Sequence, residues 1–484
     1  MLSIKTDKLL TAKKNSDIIK LTKQLVIKLN CLKFWLKTKP NTLNPKQKYR
    51  RKFLRGVTGM TLEEIKNKIV SSVDSQGEDI TEIGEKILNN PELGYCENKT
   101  SETVRKVFEK LEIEYEYPLA LTGVKAKIKG RAHKYNVCII GEMDALKCEG
   151  KTAHKCGHNA QIAAMLGAAA AIKKSGIMSG LDGDITFMAV PGEEFIDLEY
   201  RKSLKKNGEI KYYGGKQQLI YEGAFDDADM AMMLHAKGNE EKPKLYLKGH
   251  NLGFLAKTIT IRGKAVHGST PFEGVNALNA AALAILGIHS NRETFRDEDS
   301  IRIHPIITKG GDVVNSVPDE VCIDTYIRGA SFEAIKKGNA AVERSTLGAC
   351  QIIGAKAEFE DIPGYLPLKE NDELSEVMEN VAAELIGKEN LVFGEEITGS
   401  TDIGDLSMLI PVIQPSIGGF CGTLHSPEFE ITDRKTAYLT SAKLLACTAA
   451  ELLYNNAEKA KRVKENFKRQ MTKEQYIKYL NQED

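Results

Sequence analysis

Apolar residues along the chain follow two alternating spacings, which predict helices and strands in turn. Within residues 61–233, stretches with helical spacing such as 100–110 and 161–174 separate short apolar runs such as 137–141 and 185–190. Strands that alternate with helices in this way usually form a largely parallel sheet covered by helices. The first part of the chain therefore predicts an α/β domain.

A different order of elements begins near residue 253. The pattern predicts a strand, a helix, two strands, a helix and a strand, at residues 257–262, 276–290, 301–308, 320–328, 332–353 and 356–362. This β-α-β-β-α-β order is the split βαβ arrangement of ferredoxin-like domains. A helix over 372–387, a short strand near 412–415 and a long helix over 434–454 then return to the first pattern. We expect an α/β domain with a mainly parallel central sheet and flanking helices, interrupted by an inserted α+β domain.

These patterns divide the chain into five segments. They are a basic extension at 1–59, the first part of the α/β domain at 60–252, the inserted domain at 253–363, the second part of the α/β domain at 364–456, and a charged C-terminal tail at 457–484. The boundary at residue 60 depends on Thr61 and Glu64, which form a capping-box pattern ahead of a helical stretch.

Charge is distributed unevenly between the extension and the rest of the chain. Residues 1–59 hold 16 Lys and Arg against two Asp, whereas the remainder holds 52 basic and 64 acidic residues. Nucleic-acid binding lacks a recognised fold or interleaved aromatic residues, and a mitochondrial presequence would prefer Arg and Ser to the Lys and Asn found here. A third interpretation is that translation begins at Met60. We expect the extension to be non-catalytic or spurious, and we expect no nucleic-acid partner.

Apolar runs and cysteines bear on the location of the protein. No apolar run reaches the ~18 residues needed to cross a bilayer, and the Ala-rich stretch 163–172 is typical of a buried helix. The nine cysteines are odd in number and scattered without disulfide-like spacing, and no secretory signal is visible. We expect a cytoplasmic protein with no membrane partner.

Residues that can bind metals follow the strand-like apolar runs. They are Glu142 and Asp144, Cys156 and His158, Glu193 and Glu194, His235, and His425. A Cys-x-His pair supplies the nitrogen and sulfur donors that zinc-like ions prefer. Nine His and nine Cys produce chance pairs, so one such pair is weak evidence. Because each group follows a predicted strand, all of them can meet at one edge of a sheet, which indicates a metal site.

The ordered set of motifs resembles a known metallopeptidase family, that of carboxypeptidase G, aminoacylase and the amino-acid-conjugate amidohydrolases. The resemblance extends from about Asn90 to about Leu453 and is greatest to the amidohydrolase branch. Other branches have His-x-Asp where this chain has Glu142-Met143-Asp144. Asn159 and the segment 399–405 resemble the Xaa-Arg dipeptidase and aminobenzoyl-glutamate hydrolase side of that branch.

The resemblance implies a role for most of these residues. Glu193 is implied as the general base and acid, and Asp144 as a carboxylate that orients an imidazole. The implied metal ligands are Cys156, His158, Glu194, His235 and His425. They would hold two divalent ions, zinc or manganese, with cobalt as a third candidate, and the Cys156 thiolate could bridge them. The roles of Glu142 and His154 stay open.

The resemblance also implies functions for three residues of the inserted segment. The loop around His267 resembles the family segment whose histidine reaches a neighbouring subunit's active site and stabilises the developing oxyanion. Asn315 and Arg328 resemble the family's contacts to the substrate carboxylate, for which a planar guanidinium is chemically suited. The resemblance therefore implies a homodimer that forms through the inserted domain.

The sequence as a whole predicts a metal-dependent amidohydrolase or dipeptidase. Its substrate would be an N-acyl amino acid or short peptide with a free carboxylate, attacked by metal-activated water with a glutamate as general base. The alternative is a non-catalytic metal-binding or regulatory protein on the same scaffold. A nucleobase deaminase is excluded because the His-x-Glu and Pro-Cys-x-x-Cys motifs are missing. The acyl group cannot be read from the sequence.

Overall fold

The structure is a computed structural model that describes residues 59–483. The predicted basic extension lies outside the described residues apart from Gly59, so its non-catalytic nature stays a prediction. The α-helices span Leu62–Ser75, Gly77–Leu88, Asn98–Lys110, His158–Ser175, Leu198–Lys206, Gly215–Glu222, Ala277–Ser290, Phe332–Ile353, Asp372–Leu385, Ile403–Ser407, Ser441–Leu453, Glu458–Asn466 and Lys473–Asn481. Short 3₁₀ turns lie at Ile177–Gly180, Pro271–Glu273, Arg292–Thr294, Asp297–Asp299 and Lys388–Asn390, and a π-helical turn lies at Lys435–Thr440.

A six-stranded sheet, which we call the central sheet, forms the middle of the α/β part. In spatial order its strands are Tyr115–Leu119, Gly123–Ile128, Asp184–Val190, Asn136–Glu142, Met230–Met232 and Val412–Ile413. The last four strands are parallel to one another, and the first two form an antiparallel edge. Buried strands of this kind are covered by helices on both faces. The mainly parallel sheet predicted from the alternating pattern is confirmed.

Helix His158–Ser175 packs under the central sheet and is buried along almost its whole length. Its alanines let neighbouring helices approach closely, and Leu62–Ser75, Gly77–Leu88 and Ser441–Leu453 pack against it. The helix is therefore a core element, as its composition predicted. No helix within residues 59–483 is long and apolar enough to cross a membrane.

The inserted segment forms a separate four-stranded antiparallel sheet, which we call the inserted sheet. Its spatial order is Arg302–Lys309, Glu320–Gly329, Gly253–Arg262 and Lys356–Pro363. Helices Ala277–Ser290 and Phe332–Ile353 pack on one face through an apolar cluster that includes Ile259, Ile323 and Val342. The element order is the predicted β-α-β-β-α-β arrangement, and the predicted fold class is confirmed.

Four small sheets complete the described part of the chain. Their strands are Leu391–Phe393, Leu245–Leu247, Ser416–Ile417 and His235–Ala236 in the first, Leu368–Lys369, His250–Asn251 and Glu396–Ile397 in the second, Phe420–Cys421 and Glu430–Ile431 in the third, and Leu146–Cys148 and Lys151–Ala153 in the fourth. The first of them pairs Ser416 with His235, in parallel. This pairing holds the segment after residue 412 against the segment after residue 230, at the carboxyl edge of the central sheet.

The two ends of the described chain also take defined structures. Thr61 and Glu64 form the predicted capping box, in which each side chain accepts a hydrogen bond from the other residue's backbone N–H. The segment predicted as a charged tail forms two helices, and Tyr476 of the second helix is completely buried. The tail therefore contributes to the core through this tyrosine.

Candidate metal centre and active site

Side chains with metal-binding atoms converge at the carboxyl edge of the central sheet. The Sγ atom of Cys156 lies 3.4 Å from Nε2 of His235 and 3.4 Å from Nε2 of His425. Glu194 Oε1 lies 3.3 Å from the same nitrogen of His425. The ligand atoms of Cys156, His158 and His235 all lie within 4.8 Å of one another, as do those of Cys156, Glu194 and His425. Since Cys156 belongs to both groups, its sulfur is placed where it can contact two ions.

A glycine between the first two candidate ligands makes this convergence possible. Gly157 has a left-handed backbone with φ 85°, a conformation that glycine adopts without strain. A Cβ atom at this position would also lie 2.6 Å from Cβ of Ala236, the neighbour of His235. The turn at Gly157 therefore directs Cys156 and His158 to the same centre and lets the His235 strand approach.

The ring of His158 is held in one orientation by Asp144. Its Nδ1 donates to the backbone carbonyl of Asp144 at 2.8 Å and lies 3.3 Å from the carboxylate Oδ1 of that residue. With the proton on Nδ1, the lone pair of Nε2 faces the metal-binding side chains. The 2.8 Å contact is made by the backbone carbonyl, so the role implied by the family resemblance for the Asp144 carboxylate stays a proposal.

Two buried atoms of the candidate site have the properties expected of metal ligands. Among the described residues, His158 Nε2 and Glu194 Oε1 have no hydrogen-bonding partner, although nearly all buried polar atoms in proteins have one. The nearest acidic atom to His158 Nε2 is Glu142 Oε2, at 3.2 Å. Thiolate, imidazole and carboxylate donors together suit zinc-like divalent ions. The donor set therefore fits divalent metal binding.

Residues 191–194 form a turn that follows strand Asp184–Val190 and carries Glu193 and Glu194. Buried carboxylates accept hydrogen bonds from the backbone N–H groups of this turn. Glu97 accepts a hydrogen bond from the N–H of Gly192 at 2.7 Å, and Asp144 accepts one from the N–H of Glu194 at 2.9 Å. Burial raises the pKa of Glu97 to about 8, and the charge of Asp144 contributes in the same direction. We call residues 191–194 the Glu193 turn.

The carbonyl side of the Glu193 turn is held by three other residues. The buried guanidinium of Arg201 donates to the carbonyls of Gly192, at 3.1 Å, and of Glu194. The N–H of Gly215 also donates to the Gly192 carbonyl, and the hydroxyl of Tyr365 donates to that of Glu193. A Cβ atom on Gly215 would lie 1.5 Å from the carbonyl oxygen of Pro191, so only glycine fits there. The backbone of the turn is therefore fixed on both sides.

Glu193 lies inside this turn with the properties of a proton acceptor of raised basicity. The residue is 7% exposed. Burial raises the pKa of Glu193 well above its ordinary value, and the carboxylates of Glu142 and Glu194 raise it further. A carboxylate with a raised pKa accepts a proton more readily at neutral pH than a solvated one does.

A buried lysine neutralises the carboxylate that stands in place of the family's His-x-Asp histidine. The Nζ atom of Lys216 donates to Glu142 Oε1 at 2.6 Å and to Asp402 Oδ1. Gln161 donates to the other Glu142 oxygen at 2.9 Å. Burial alone would lower the pKa of Lys216, but the charges of Asp402 and Glu142 raise it above its ordinary value. Glu142 is thus largely occupied by internal partners.

A cavity of about 700 Å³ opens beside these residues. Cys156, Glu193 and His425 line one side of it, and Arg328 of the inserted sheet lines another. The guanidinium of Arg328 lies over the ring of Phe254 and donates to the Ser400 hydroxyl at 2.7 Å. The predicted substrate-carboxylate contact at Arg328 is therefore within the same cavity as the metal-binding group.

The other two predicted residues of the inserted segment lie elsewhere. His267 and Asn315 are exposed on adjoining loops, where the N–H of Gly268 donates to the carbonyl of Asn315 at 2.7 Å. The His267 ring contacts the hydroxyl of Ser269 at 2.7 Å. Neither His267 nor Asn315 lines the cavity described above. The structure of one chain thus brings them near each other but not to the metal-binding group.

Sequence reasoning missed the residues that support the site. Glu97, Arg201 and Lys216 are buried, yet each lies in a polar stretch where a surface position is the ordinary expectation. The signal available for Lys216 was its place after two glycines, which predicts a helix start but not burial.

His154 is buried, burial lowers its pKa to about 3, and neither ring nitrogen has a hydrogen-bonding partner within residues 59–483. His154 is not in either ligand group that contains Cys156.

Comparisons with known proteins identify relatives of this chain. Residues 250–345 match the family described as the peptidase dimerisation domain of M20 peptidases. The chain is 27% identical over 449 residues to a Xaa-Arg dipeptidase of Homo sapiens, covering 86% of this chain and 95% of that protein. It is 27% identical over 402 residues to an IAA-amino acid hydrolase of Arabidopsis thaliana, covering 77% and 85% respectively.

The fold has solved counterparts as well. The crystal structure of a dinuclear metal-binding peptidase of the M20 family from Bacillus subtilis superposes with a TM-score of 0.62 at 21% identity, covering 78% of this chain and 99% of that one. Fold, site and relatives together define the class of the protein, which is a hydrolase. More particularly, the chain is a relative of the M20 metallopeptidases, which confirms the resemblance inferred from the motifs.

Proposed function

We propose that the protein hydrolyses the amide bond of an N-acyl amino acid or dipeptide that carries a free carboxylate. The observation that supports this most directly is the position of Glu193, a buried carboxylate of raised pKa beside two ligand groups that share Cys156. The relatives named above are a dipeptidase and an amino-acid-conjugate hydrolase, which supports the same reaction.

The proposed roles follow from the contacts of each side chain. Cys156, His158, Glu194, His235 and His425 would hold two divalent ions, zinc or manganese, with cobalt as a third candidate. Bound ions of this kind polarise the substrate carbonyl and lower the pKa of water. The identity of the bound ions is part of this proposal.

Proton transfer is assigned to Glu193. Its carboxylate would accept a proton from the attacking water and deliver it to the leaving amine. Asp144 would hold the ring of His158 so that Nε2 stays available, as the 2.8 Å contact at Nδ1 suggests. The fixed backbone of the Glu193 turn would keep Glu193 and its neighbour Glu194 pointing to different partners.

Substrate binding is assigned to the inserted segment. Arg328 would pair with the substrate carboxylate, since it lines the cavity and, within residues 59–483, its guanidinium hydrogen-bonds through Nη1 to the Ser400 hydroxyl. Asn315 would contact the same carboxylate, and His267 would stabilise the oxyanion. Because both residues are exposed away from the cavity of their own chain, they would act in a homodimer, on the site of the partner subunit. The match to a dimerisation domain supports this assembly.

The test is a screen of N-acyl amino acids and dipeptides with manganese, zinc or cobalt added separately. Turnover that depends on one of these metals and disappears on chelation is expected. Metal binding without turnover of any such compound would favour the alternative, a non-catalytic metal-binding protein. The intact, buried Glu193 argues against that alternative. The predicted cytoplasmic location stays a prediction, and so do the five domain boundaries.

A further inference from the structure

A second cavity, of about 580 Å³, lies between the inserted sheet and helix Leu198–Lys206. It shares Tyr326 and Arg328 with the cavity of the metal-binding group. One wall is a single face of the inserted sheet, because alternate residues of a strand point to the same side. Arg302 and His304 lie on that face beside Arg328 and Tyr326. The second cavity therefore begins where the proposed carboxylate contact lies.

Two arginines stand directly opposite each other on this face. Arg302 and Arg328 are register partners on neighbouring antiparallel strands. The Cβ atoms of directly opposite residues are separated by roughly 4.5–5.5 Å, and like charges at such positions destabilise a sheet. An anion that binds between or beside the two guanidinium groups would relieve the repulsion between them.

Neither arginine has an acidic partner within residues 59–483. Arg302 donates to the backbone carbonyl of Ile301 at 3.1 Å, and Arg328 donates to the hydroxyl of Ser400. No ion pair between either guanidinium and a carboxylate occurs in the described part of the chain. Both positive charges are therefore available to a ligand.

The two acidic residues that line the second cavity differ in how their charge is compensated. Asp324 accepts a hydrogen bond from the hydroxyl of Thr258 at 2.7 Å. Glu199 accepts one from the ammonium group of Lys202 at 3.2 Å. Glu199 and Lys202 compensate each other, whereas the neutral Thr258 hydroxyl leaves the charge of Asp324 in place. The charges of Arg302 and Arg328 exceed that of Asp324 by one, so the balance among these three side chains is positive and favours an acidic group over a basic one.

We infer that Arg302 is a specificity residue for a second carboxylate, and that the preferred substrates are N-acyl derivatives of acidic amino acids. The inference rests on the proposed function, in which Arg328 pairs with the α-carboxylate. With that carboxylate at Arg328, the side chain of the amino acid can enter the second cavity and reach Arg302. Glutamate and aspartate conjugates carry the two carboxylates that two adjacent guanidinium groups would recognise.

The experiment compares N-acylglutamate with N-acylglutamine, which differ only in charge at the side chain. The full-length, metal-loaded protein is assayed as wild type, as Arg302→Gln and as the control Arg296→Gln, whose exposed side chain pairs with Glu298 outside both cavities. We expect wild type to prefer the glutamate conjugate by about tenfold or more in kcat/KM. Arg302→Gln should lower this ratio about tenfold, mainly through KM, while Arg296→Gln preserves it.

Charge reversal and direct binding complete the test. Arg302→Glu should invert the preference toward the glutamine conjugate. Equal kcat/KM values for the two conjugates in wild type, or a preference for Xaa-Arg and Xaa-Lys dipeptides, would overturn the inference while leaving the proposed function in place. If no conjugate is hydrolysed at all, the proposed function fails, and calorimetry with N-acetylglutamate and N-acetylglutamine then decides the inference. Equal affinities for wild type in that measurement would refute it.

Discussion

The Glu193 turn and the His267 loop are both assigned to catalysis, yet their surroundings in the chain are opposite. The Glu193 turn is buried, and Glu97, Arg201, Gly215 and Tyr365 bind its backbone from several sides. The His267 loop, residues 263–270, is largely exposed, and the hydroxyl and the backbone N–H of Ser269 contact the His267 ring. Buried groups of the same chain thus fix the surroundings of Glu193, whereas the backbone of the His267 loop is tied to the Asn315 loop and the His267 side chain stays exposed.

The difference shows which part of the site one chain can complete. Buried hydrogen bonds to charged groups fix a backbone because leaving any of them unmade is costly. An exposed loop has no such requirement and can take its final position against another surface. We therefore expect the Glu193 turn to depend on internal contacts and the His267 loop to depend on the proposed partner subunit.

The largest effect on turnover is expected from a change at Glu193, the proposed proton acceptor of the turn. Glu193→Gln preserves the shape of the side chain and removes the proton acceptor, so kcat should fall by roughly 10²-fold or more. Metal content measured by elemental analysis should stay unchanged. Glu209→Gln, an exposed carboxylate of the same region, is the control. Normal turnover in Glu193→Gln would remove Glu193 from the reaction.

Removing the buried charge that holds the turn should cost stability. In Arg201→Met the carbonyls of Gly192 and Glu194 lose their donor, and neighbouring buried carboxylates lose a compensating charge. We expect the free energy of unfolding to fall by about 3 kcal/mol, as measured by denaturant titration. Arg344→Met, at an exposed position, should have little effect. Unchanged stability in Arg201→Met would show that the turn is held without Arg201.

Measurements of metal binding distinguish the proposed metal ligands from Glu193, the proposed base. Glu194→Gln and His425→Ala each remove one proposed ligand. The metal content should therefore fall from about two ions per chain to about one or fewer. Elemental analysis of the purified variants measures this. Glu241→Gln, an exposed carboxylate, provides the comparison. Full occupancy in either variant would place that residue outside the ligand set.

The His267 loop can be tested by mixing two inactive variants. His267→Ala and Glu193→Gln homodimers should both be weak, but a heterodimer would combine an intact Glu193 with an intact His267 at one of its two sites. With random subunit exchange, activity should return to about a quarter of wild type. Exchange confirmed by mass spectrometry without any recovered activity would show that His267 does not act across subunits.

The effect that is smallest over a single pH unit is the pH dependence contributed by the buried Glu97. Because the pKa of Glu97 rises from 4.5 to about 8 on folding, the folded chain retains a proton that the unfolded chain releases. Its contribution to stability is present below pH 4.5 and is lost as the pH rises toward 8, by at most about 1.4 kcal/mol per pH unit. Glu97→Gln should flatten this slope in unfolding measurements at pH 5, 7 and 9. A slope equal to that of wild type, or of the exposed control Glu112→Gln, would contradict the assignment.

The regular elements were predictable because their signals are local. The helix expected at 332–353 is found at Phe332–Ile353, where Ser331 caps its start and Gly354 ends it. The strand pattern at 320–328 is likewise found at Glu320–Gly329. Apolar spacing and capping residues lie within a few positions of each other in the sequence, so they can be read without knowledge of the fold.

The candidate ligands were predictable for a related reason, but their supports were not. Glu194 follows strand Asp184–Val190 and His235 follows strand Met230–Met232, and such strand ends meet at one edge of a parallel sheet, while Cys156 lies just before helix His158–Ser175. The ion pair between Lys216 and Asp402 joins residues 186 positions apart, and no local pattern marks either partner as buried. Such contacts depend on the completed fold, and so does the position of Arg201 in the core.

The pairing of strand Val412–Ile413 with Met230–Met232 has a consequence for biosynthesis. His425 follows that strand and meets Cys156 across 269 residues of sequence, with the whole inserted segment between them. On the ribosome, the inserted segment can complete its own sheet while the metal centre still lacks a ligand, since domains form as their residues emerge. Ion capture at the proposed centre would therefore follow the emergence of His425 and would report that the α/β part has closed.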